Sequence, residues 1–297
     1  MKKLSIGYFA DGPWSYEALE NITADETIEI KFICARNDMP DEVLRLAAVK
    51  LGLDFFTHPR INSNEFYSQV AAYECDLFVS MSFNQIFKSN LINLPPLKII
   101  NCHAGKLPYY RGRNVLNWVL INDEHEFGIT VHYIDEGIDT GDIILQRTFK
   151  IEDKDDYSTI LLRAHKECSS ILYESIKLVQ SGNVKIIKQV DLDPHGFYCT
   201  ARVEGDERLD WHQSSRTVFN FVRSICDPGP QARSFYDGQE IKINRVELIP
   251  NATSYRGIPG CVIGIETDAF LVKTSDSFVR VTQWSGFTSP KIGDRLQ

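Results

Sequence analysis

Two short stretches of the sequence carry the side chains best suited to acid–base chemistry. Asn101 and His103 lie at the end of the apolar run 98–102, and Asp139 follows in a later stretch rich in glycine and acidic residues. Alternate residues of an extended strand face the same side, so Asn101 and His103 are predicted to point one way and Cys102 the other. A carboxamide, an imidazole and a carboxylate supply an oxyanion donor, a proton carrier and an orienting charge. This set is typical of acyl transfer to an external nucleophile.

Asp139 reaches the same crevice if the strand predicted over Ile129–Ile134 pairs beside Ile99–Cys102. His132, within the former strand, is then either a packed core histidine or part of the site. No G-x-S-x-G nucleophile elbow occurs, which indicates that the nucleophile comes with the substrate. Two imidazoles and a carboxylate are acceptable zinc ligands, but the compact H-x-x-x-H and C-x-x-C spacings are absent. We therefore expect no metal.

The elements that position these residues alternate between strand-like and helix-like segments. Strands are predicted over 2–10, 28–35, 76–80, 98–102 and 129–134, with helical stretches between them. This alternation predicts an α/β fold, a doubly wound and mostly parallel sheet with helices on both faces. Ligands of such sheets bind beyond the carboxyl ends of strands, so the site is predicted in the loops after Ser80, Cys102 and Ile134.

The second part of the chain has a different pattern. A long helix is predicted from Tyr157 to Ser181, ended by Gly182. After about residue 200, short strands separated by Gly, Pro, Asp and Ser predict a small C-terminal β-barrel-like domain. We therefore expect two domains, residues 1–200 and residues 201–297.

Composition and charge exclude several classes of protein. Hydrophobic residues make up 43% and charged residues 24% of the chain, as in globular proteins. No apolar run approaches the ~20 residues of a membrane span, and the apolar N-terminal run meets Asp11 too early for an export signal. The net charge of −8 disfavours nucleic-acid binding. Seven scattered cysteines are consistent with reduced thiols, so we expect a cytoplasmic location. From the apolar runs and the net charge, we expect neither membrane nor nucleic-acid partners.

Four motifs, in this order, resemble a known enzyme family. They are N-x-H at 101–103, L-P-x-Y-R-G at 107–112, G-x-T-x-H at 128–132 and D-x-G-x-D-x-G at 135–141. The pattern is similar to that of formyltransferases that use 10-formyltetrahydrofolate. That family includes methionyl-tRNA, glycinamide ribonucleotide and nucleotide-sugar N-formyltransferases. The resemblance continues through DERLDW at 206–211 and covers nearly the whole chain.

The resemblance implies a Rossmann-like core with an OB-like C-terminal domain. It implies that Asn101, His103 and Asp139 are catalytic and that 10-formyltetrahydrofolate is the co-substrate. The residue that accepts the proton of the attacking amine stays open between His103 and Asp139. The resemblance also implies folate contacts, which we assign to the residues Phe83, Ile86, Asp135, Gly137 and Ile138.

Length and charge favour the nucleotide-sugar branch of this family. A tRNA substrate needs clustered Lys and Arg, whereas residues 201–297 carry equal numbers of basic and acidic residues and the whole −8 lies in residues 1–200. Glycinamide ribonucleotide enzymes are typically shorter. We expect dTDP-4-amino-4,6-dideoxyglucose as the formyl acceptor, for the O-antigen of lipopolysaccharide. A methionyl-tRNA formyltransferase and a non-catalytic nucleotide- or folate-binding module are the alternatives.

A nucleotide sugar carries a diphosphate and a base, and we assign candidate contacts to each. Arg111, Arg113 and Lys150 are the candidates for the diphosphate, and Trp14 is the candidate for stacking on the base. Exposed barrel or helix faces often pair two copies about a two-fold axis, so a homodimer is a further expectation.

Overall fold

The structure is a computed structural model that describes residues 2–297. Its strands, in chain order, are β1 (Leu4–Ala10), β2 (Ile28–Ala35), β3 (Asp54–Thr57), β4 (Leu77–Met81), β5 (Ile99–His103), β6 (Arg111–Gly112), β7 (Glu126–Tyr133), β8 (Ile143–Lys150), β9 (Tyr198–Cys199), β10 (Ala232–Tyr236), β11 (Gln239–Leu248), β12 (Val262–Ile265), β13 (Phe270–Lys273) and β14 (Phe278–Ser285). Its helices are α1 (Pro13–Thr23), α2 (Glu42–Leu51), α3 (Asn64–Ala71), α4 (Ser89–Ile92), α5 (Val115–Ile121), α6 (Tyr157–Ser181), α7 (Gln189–Leu192) and α8 (Ser215–Ser224).

The central sheet has seven strands in the order β3-β2-β1-β4-β5-β7-β8. Strands β1 to β5 pair in parallel, with β1 between β2 and β4. Every residue of β1 and of β4 is buried, as expected for parallel strands covered by helices on both faces. The prediction of a doubly wound, mostly parallel sheet is confirmed.

Strand β7 runs antiparallel to β5, and this places the candidate site residues in register. Asn101 lies opposite His132, and His103 lies opposite Thr130. The end of β7 therefore lies beside the start of β5, where the Ile134 N–H donates to the Ile99 carbonyl at 2.8 Å. The expectation that the loop after Ile134 leaves from the carboxyl edge of the parallel strands is wrong, because β7 points the other way.

Local sequence signals explain two of the predicted helices. Helix α2 begins after Asp41, whose side chain accepts from the Leu44 N–H, and ends at Gly52 in the left-handed conformation with φ 67°. Helix α6 covers Tyr157–Ser181 as predicted, and Gly182 follows it with φ 70°. None of the helices formed by residues 2–297 combines the length and the apolar composition that crossing a membrane requires.

The chain divides into two compact units. Among the described residues, the first comprises residues 2–112, 127–149 and 162–199, and the second comprises residues 113–126, 150–161 and 200–297. Within the second unit, helices α5 and α8 pack against each other. Two segments that precede residue 200 thus belong to the same unit as the C-terminal strands.

The second unit is built on a five-stranded antiparallel sheet in the order β10-β11-β14-β13-β12. Its two edge strands are joined by residues 293–297. The Val262 N–H of β12 donates to the Asp294 carbonyl at 2.8 Å, and Phe235 of β10 exchanges two main-chain hydrogen bonds with Gln297 at 2.9 and 2.8 Å. This segment covers both edges, which gives the sheet the barrel-like closure predicted from the sequence.

We expect Leu296→Ala to destabilise the second unit by about 2–5 kcal/mol, because it removes a buried side chain from the segment that joins both edges. Leu296 is 3% exposed and belongs to the apolar core of this unit. Urea unfolding followed by tryptophan fluorescence measures the change. Ile292→Ala is the matched control, since Ile292 is 70% exposed and its loss should cost no more than about 0.5 kcal/mol. Equal effects of the two substitutions would contradict this description of the core.

Candidate active site

Strands β5 and β7 bring one amide and two imidazoles to a common face, and Asp139 completes the group. The Asp139 carboxylate lies 3.7 Å from His103 Nδ1 through Oδ2 and 3.6 Å from His132 Nε2 through Oδ1. Asn101 Nδ2 lies 3.3 Å from His132 Nε2. The side chain of Asp139 is only 14% exposed and that of His103 only 10%. The structure thus brings together the three residues predicted to be catalytic, and adds His132.

Main-chain carbonyls determine which nitrogen of each imidazole carries hydrogen. His103 Nε2 lies 2.7 Å from the Tyr110 carbonyl oxygen, and His132 Nδ1 lies 2.8 Å from the Tyr133 carbonyl oxygen. A carbonyl oxygen only accepts, so both of these nitrogens donate. In the neutral rings, His103 Nδ1 and His132 Nε2 therefore hold the lone pairs. These are the two nitrogens that face Asp139.

The loop that carries Asp139 is closed by Asp135. The Asp135 carboxylate accepts from the Gly137 N–H at 3.0 Å and from the Thr140 hydroxyl at 2.5 Å. A Cβ at Gly137 would overlap the Thr140 hydroxyl, and one at Gly141 would overlap the Tyr133 carbonyl oxygen. The D-x-G-x-D-x-G motif is thus a packing requirement, because the glycines permit the close approach that turns the loop back toward β5.

The surroundings of Asp139 favour its ionised form. Burial alone would raise the pKa of this carboxyl, but His103, His132 and the Gly112 N–H together hold that pKa well below its usual value. The Gly112 N–H donates to Asp139 Oδ2 at 2.8 Å. The site therefore contains a fixed negative charge next to two ring nitrogens that can each take up a proton.

Residues behind and beside β5 complete the candidate site. Cys102 Sγ lies 3.7 Å from the Cys168 carbonyl oxygen of α6, on the face opposite Asn101 and His103. On the His103 side, the Thr130 hydroxyl donates to the Gly105 carbonyl at 2.7 Å. A Cβ at Gly105 would overlap His103 Nε2 and the Tyr110 carbonyl oxygen. Only glycine leaves room there for the hydrogen bond between His103 and Tyr110.

The five residues assigned to folate lie on two loops that contact each other. The Ser89 hydroxyl, after the first loop, donates to the Glu136 carboxylate in the second. Phe83 is half-buried and packs on Phe9 with ring centroids 5.4 Å apart. Ile86 and Ile138 are 59% and 51% exposed. Asp135 and Gly137 form the turn described above. Two apolar side chains are therefore available to a ligand, whereas Phe83 also belongs to the core.

The four residues assigned to the nucleotide sugar have different surroundings, and each unit contains two of them. Trp14 packs edge-on against His165 with ring centroids 4.3 Å apart. Arg111 is buried, and its guanidinium donates to Gln189. Arg113 and Lys150 belong to the second unit, in which Arg113 is exposed and Lys150 Nζ lies 3.1 Å from Glu152. Their roles in substrate binding stay predictions.

Two members of the site were not assigned from the sequence. His132 was left between a core and a site role, and its position opposite Asn101 on the paired strand is the signal that places it. Gln189 carries no sequence signal, because its partners lie far away along the chain. Within residues 2–297, no group of three or more His, Cys, Asp or Glu side chains is arranged to hold a metal ion.

We expect Asp139 to stay ionised down to acidic pH, because its pKa is depressed by the two imidazoles and the Gly112 N–H. The stability that this carboxylate contributes is present above the usual aspartate pKa of about 3.9 and is lost as the pH falls through the lower folded-state value. Carboxyl ¹³C NMR of aspartate-labelled protein, assigned with Asp139→Asn, measures the titration. A protonation step of Asp139 at or above the usual value would contradict the described contacts.

Comparisons with known proteins agree with this arrangement of strands and motifs. A family model described as formyl transferase matches residues 18–176, and one described as formyl transferase, C-terminal domain, matches residues 203–286. The methionyl-tRNA formyltransferase of Caldanaerobacter subterraneus subsp. tengcongensis is 30% identical over 79% of this chain and 74% of its own length.

Two solved structures share the fold over nearly the whole chain. WlaRD, described as a sugar 3N-formyl transferase in the presence of dTDP and 5-N-formyl-THF, has a TM-score of 0.73 and 21% identity, covering 97% of this chain and 100% of its own. The N-formyltransferase from Helicobacter canadensis, in complex with folinic acid and dTDP-3-aminofucose, has a TM-score of 0.70 and 20% identity, covering 96% and 100%. The resemblance drawn from the four motifs is confirmed: this chain belongs to the formyl transferase family.

Proposed function

We propose that this protein transfers a formyl group from 10-formyltetrahydrofolate to the amino group of a nucleotide-linked sugar. The observation that carries the proposal is the Asp139 carboxylate held between His103 Nδ1 and His132 Nε2, at 3.7 and 3.6 Å. The nearby carboxamide of Asn101 supplies N–H donors, and the thiol of Cys102 lies on the opposite face of β5. The arrangement suits direct attack of a substrate amine on an acyl carbon.

Each side chain has a role that its hydrogen bonds support. 10-Formyltetrahydrofolate supplies the formyl group. An Asn101 N–H donates to the formyl oxygen as negative charge develops on it. His103 Nδ1 accepts the proton that the attacking amine loses, and Asp139 stabilises the imidazolium that results. As the new C–N bond forms and the bond to the folate N10 breaks, the proton passes from His103 to N10, so the ring returns to its neutral form.

We propose that the two loops assigned to folate receive its flat heteroaromatic ring. Ile86 and Ile138 present exposed apolar surface, while the loops around them carry main-chain N–H and carbonyl groups that can hydrogen-bond to ring edges. This combination of apolar walls with a few polar groups is typical of sites for small organic ligands. Two family relatives of known structure are described with formyl-THF or folinic acid, which supports the same co-substrate here.

Charge supports a small acceptor over tRNA. The net charge of −8 lies in residues 1–200, and residues 201–297 are neutral by count, so neither part of the chain has the net positive charge that favours a polyanion. At the start of α1, the Gly12 N–H already donates to the Asp41 carboxylate at 2.9 Å, so this N–H is not available to a phosphate.

Within the sugar branch, we propose dTDP-4-amino-4,6-dideoxyglucose as the acceptor and O-antigen assembly as the use of the product. Two structural neighbours are described as a sugar formyl transferase with dTDP and as an N-formyltransferase with dTDP-3-aminofucose, which supports a dTDP-linked amino sugar. A methionyl-tRNA formyltransferase is the second candidate, because the curated relative with that name is 30% identical over 79% of this chain.

Competitive turnover separates these candidates. The protein is given 10-formyltetrahydrofolate together with dTDP-4-amino-4,6-dideoxyglucose, UDP-4-amino-4-deoxyarabinose and Met-tRNA, and each product is quantified by mass spectrometry. We expect the dTDP-sugar to be formylated with the highest kcat/KM, because the charge distribution disfavours the polyanion. Preferential formylation of Met-tRNA would overturn the sugar proposal, and preference for the UDP-pentose would replace the proposed base and sugar.

His103→Asn is the control that ties the product to this site. Loss of a general base should lower the rate by roughly 10²–10⁴-fold, whereas exposed Ile292→Ala should retain it. Turnover by the His103 variant close to that of the unmodified protein would show that the chemistry takes place elsewhere.

A further inference from the structure

The carboxamide of Gln189 connects the Asp139 loop to the segment that precedes Gly112. Gln189 Nε2 donates to the Asp139 carbonyl at 2.8 Å and to the Gly141 carbonyl at 2.7 Å. Its Oε1 accepts from Arg111 Nε at 3.1 Å and from Arg111 Nη2 at 2.7 Å. A primary amide has two N–H donors and two acceptor lone pairs, so the hydrogen-bonding capacity of Gln189 is fully used. The residue is 3% exposed.

The chemistry of its partners leaves the amide one orientation. A guanidinium only donates and a carbonyl oxygen only accepts, so exchanging Oε1 and Nε2 would break all four bonds. Arg111 is itself buried and packs over the Tyr198 ring, with its guanidinium carbon 5.4 Å from the ring centroid. Gln189 is therefore anchored on one side to the paired strands β6 and β9 and on the other to the catalytic loop.

Asp139 needs such an anchor, because its backbone has φ 53°. This left-handed conformation costs energy for a residue with a side chain and persists where surrounding contacts hold it. Gln189 holds the main chain on either side of Thr140, while the Gly112 N–H holds Asp139 Oδ2 at 2.8 Å. Gly112 directly follows Arg111. The Gln189 carboxamide therefore connects the main chain around Asp139 with the segment whose N–H binds the Asp139 carboxylate.

We propose that Gln189 is a positioning residue that holds the main chain of residues 139–141 so that the Asp139 carboxylate lies between His103 and His132. The kinetic consequences rest on the proposed formyl transfer, whereas the contacts themselves do not. In this proposal, Gln189 acts through Asp139 and contacts neither substrate.

Two substitutions separate the loop side of Gln189 from its Arg111 side. Gln189→Met keeps an unbranched side chain of similar length and removes all four hydrogen bonds. Gln189→Glu keeps an acceptor for Arg111, adds a negative charge that favours that pairing, and removes both donors to the Asp139 and Gly141 carbonyls. If Gln189 served only to anchor Arg111, the Glu variant would behave like the unmodified protein.

We expect both variants to lower kcat by about 10- to 100-fold with little change in either KM, because the catalytic groups are misplaced while the substrates still bind. Carboxyl ¹³C NMR gives a readout that needs no substrate: the pKa of Asp139 should rise toward the ordinary aspartate value in both variants. Gln180→Met is the matched control, since Gln180 Nε2 donates to the Thr27 carbonyl at 3.0 Å and has no contact with Asp139. It should leave kcat and the Asp139 titration unchanged.

The possible outcomes distinguish this proposal from the proposed function. Normal kcat and an unchanged Asp139 titration in Gln189→Glu would overturn the positioning role, whatever the effect of Gln189→Met. An Asp139 pKa that rises in both Gln189 variants supports the role even if the unmodified protein formylates none of the offered amines, in which case only the proposed function fails. Thermal unfolding checks that both variants are folded at the assay temperature.

Discussion

The Asp139 carboxylate is nearly buried and faces two imidazoles whose other nitrogens already donate to main-chain carbonyls. Because His103 Nε2 donates to Tyr110 and His132 Nδ1 donates to Tyr133, the remaining nitrogens must meet Asp139 as proton acceptors. A carboxylate interacts favourably with a protonated imidazole, because the two groups carry opposite charges. In the proposed reaction, this arrangement lets His103 take the proton of the amine while Asp139 carries the balancing charge.

Much of the structure serves to keep that interaction in place. The antiparallel pairing of β5 with β7 places Asn101 opposite His132, and the glycines at 105, 137 and 141 permit backbone approaches that a Cβ would block. The Asp139 loop starts beside the amino end of β5 and has to turn back to reach His103. Asp135 closes the turn from within, and Gln189 holds it from outside.

The alternation of strands and helices in the first part of the chain was predicted from the sequence. The direction of β7 and the contacts of Arg111 were not. Apolar runs bounded by turn residues indicated β1, β2, β4, β5 and the long helix α6, because the spacing of apolar residues reflects which side chains are buried. The same runs carry no information on strand direction, so the antiparallel direction of β7 was not predicted. The elements β10 and α8 were not predicted either. Arg111 looks like an anion ligand in the sequence, and only the fold shows its guanidinium donating to Gln189. Asn101, His103 and Asp139 could be named as candidates because two motifs contain them, whereas Gln189 lies in no motif and its partners are distant in the sequence.

The most direct test of the central interaction is the tautomer of each histidine, read from long-range ¹H–¹⁵N correlation spectra of the neutral imidazole rings. The two rings are assigned by comparison with His103→Asn and His132→Asn. We expect hydrogen on Nε2 of His103 and on Nδ1 of His132, with the lone pairs of His103 Nδ1 and His132 Nε2 facing Asp139. A neutral His103 that carries its hydrogen on Nδ1 would contradict the account, because that ring would then donate to Asp139 and offer no base to the attacking amine.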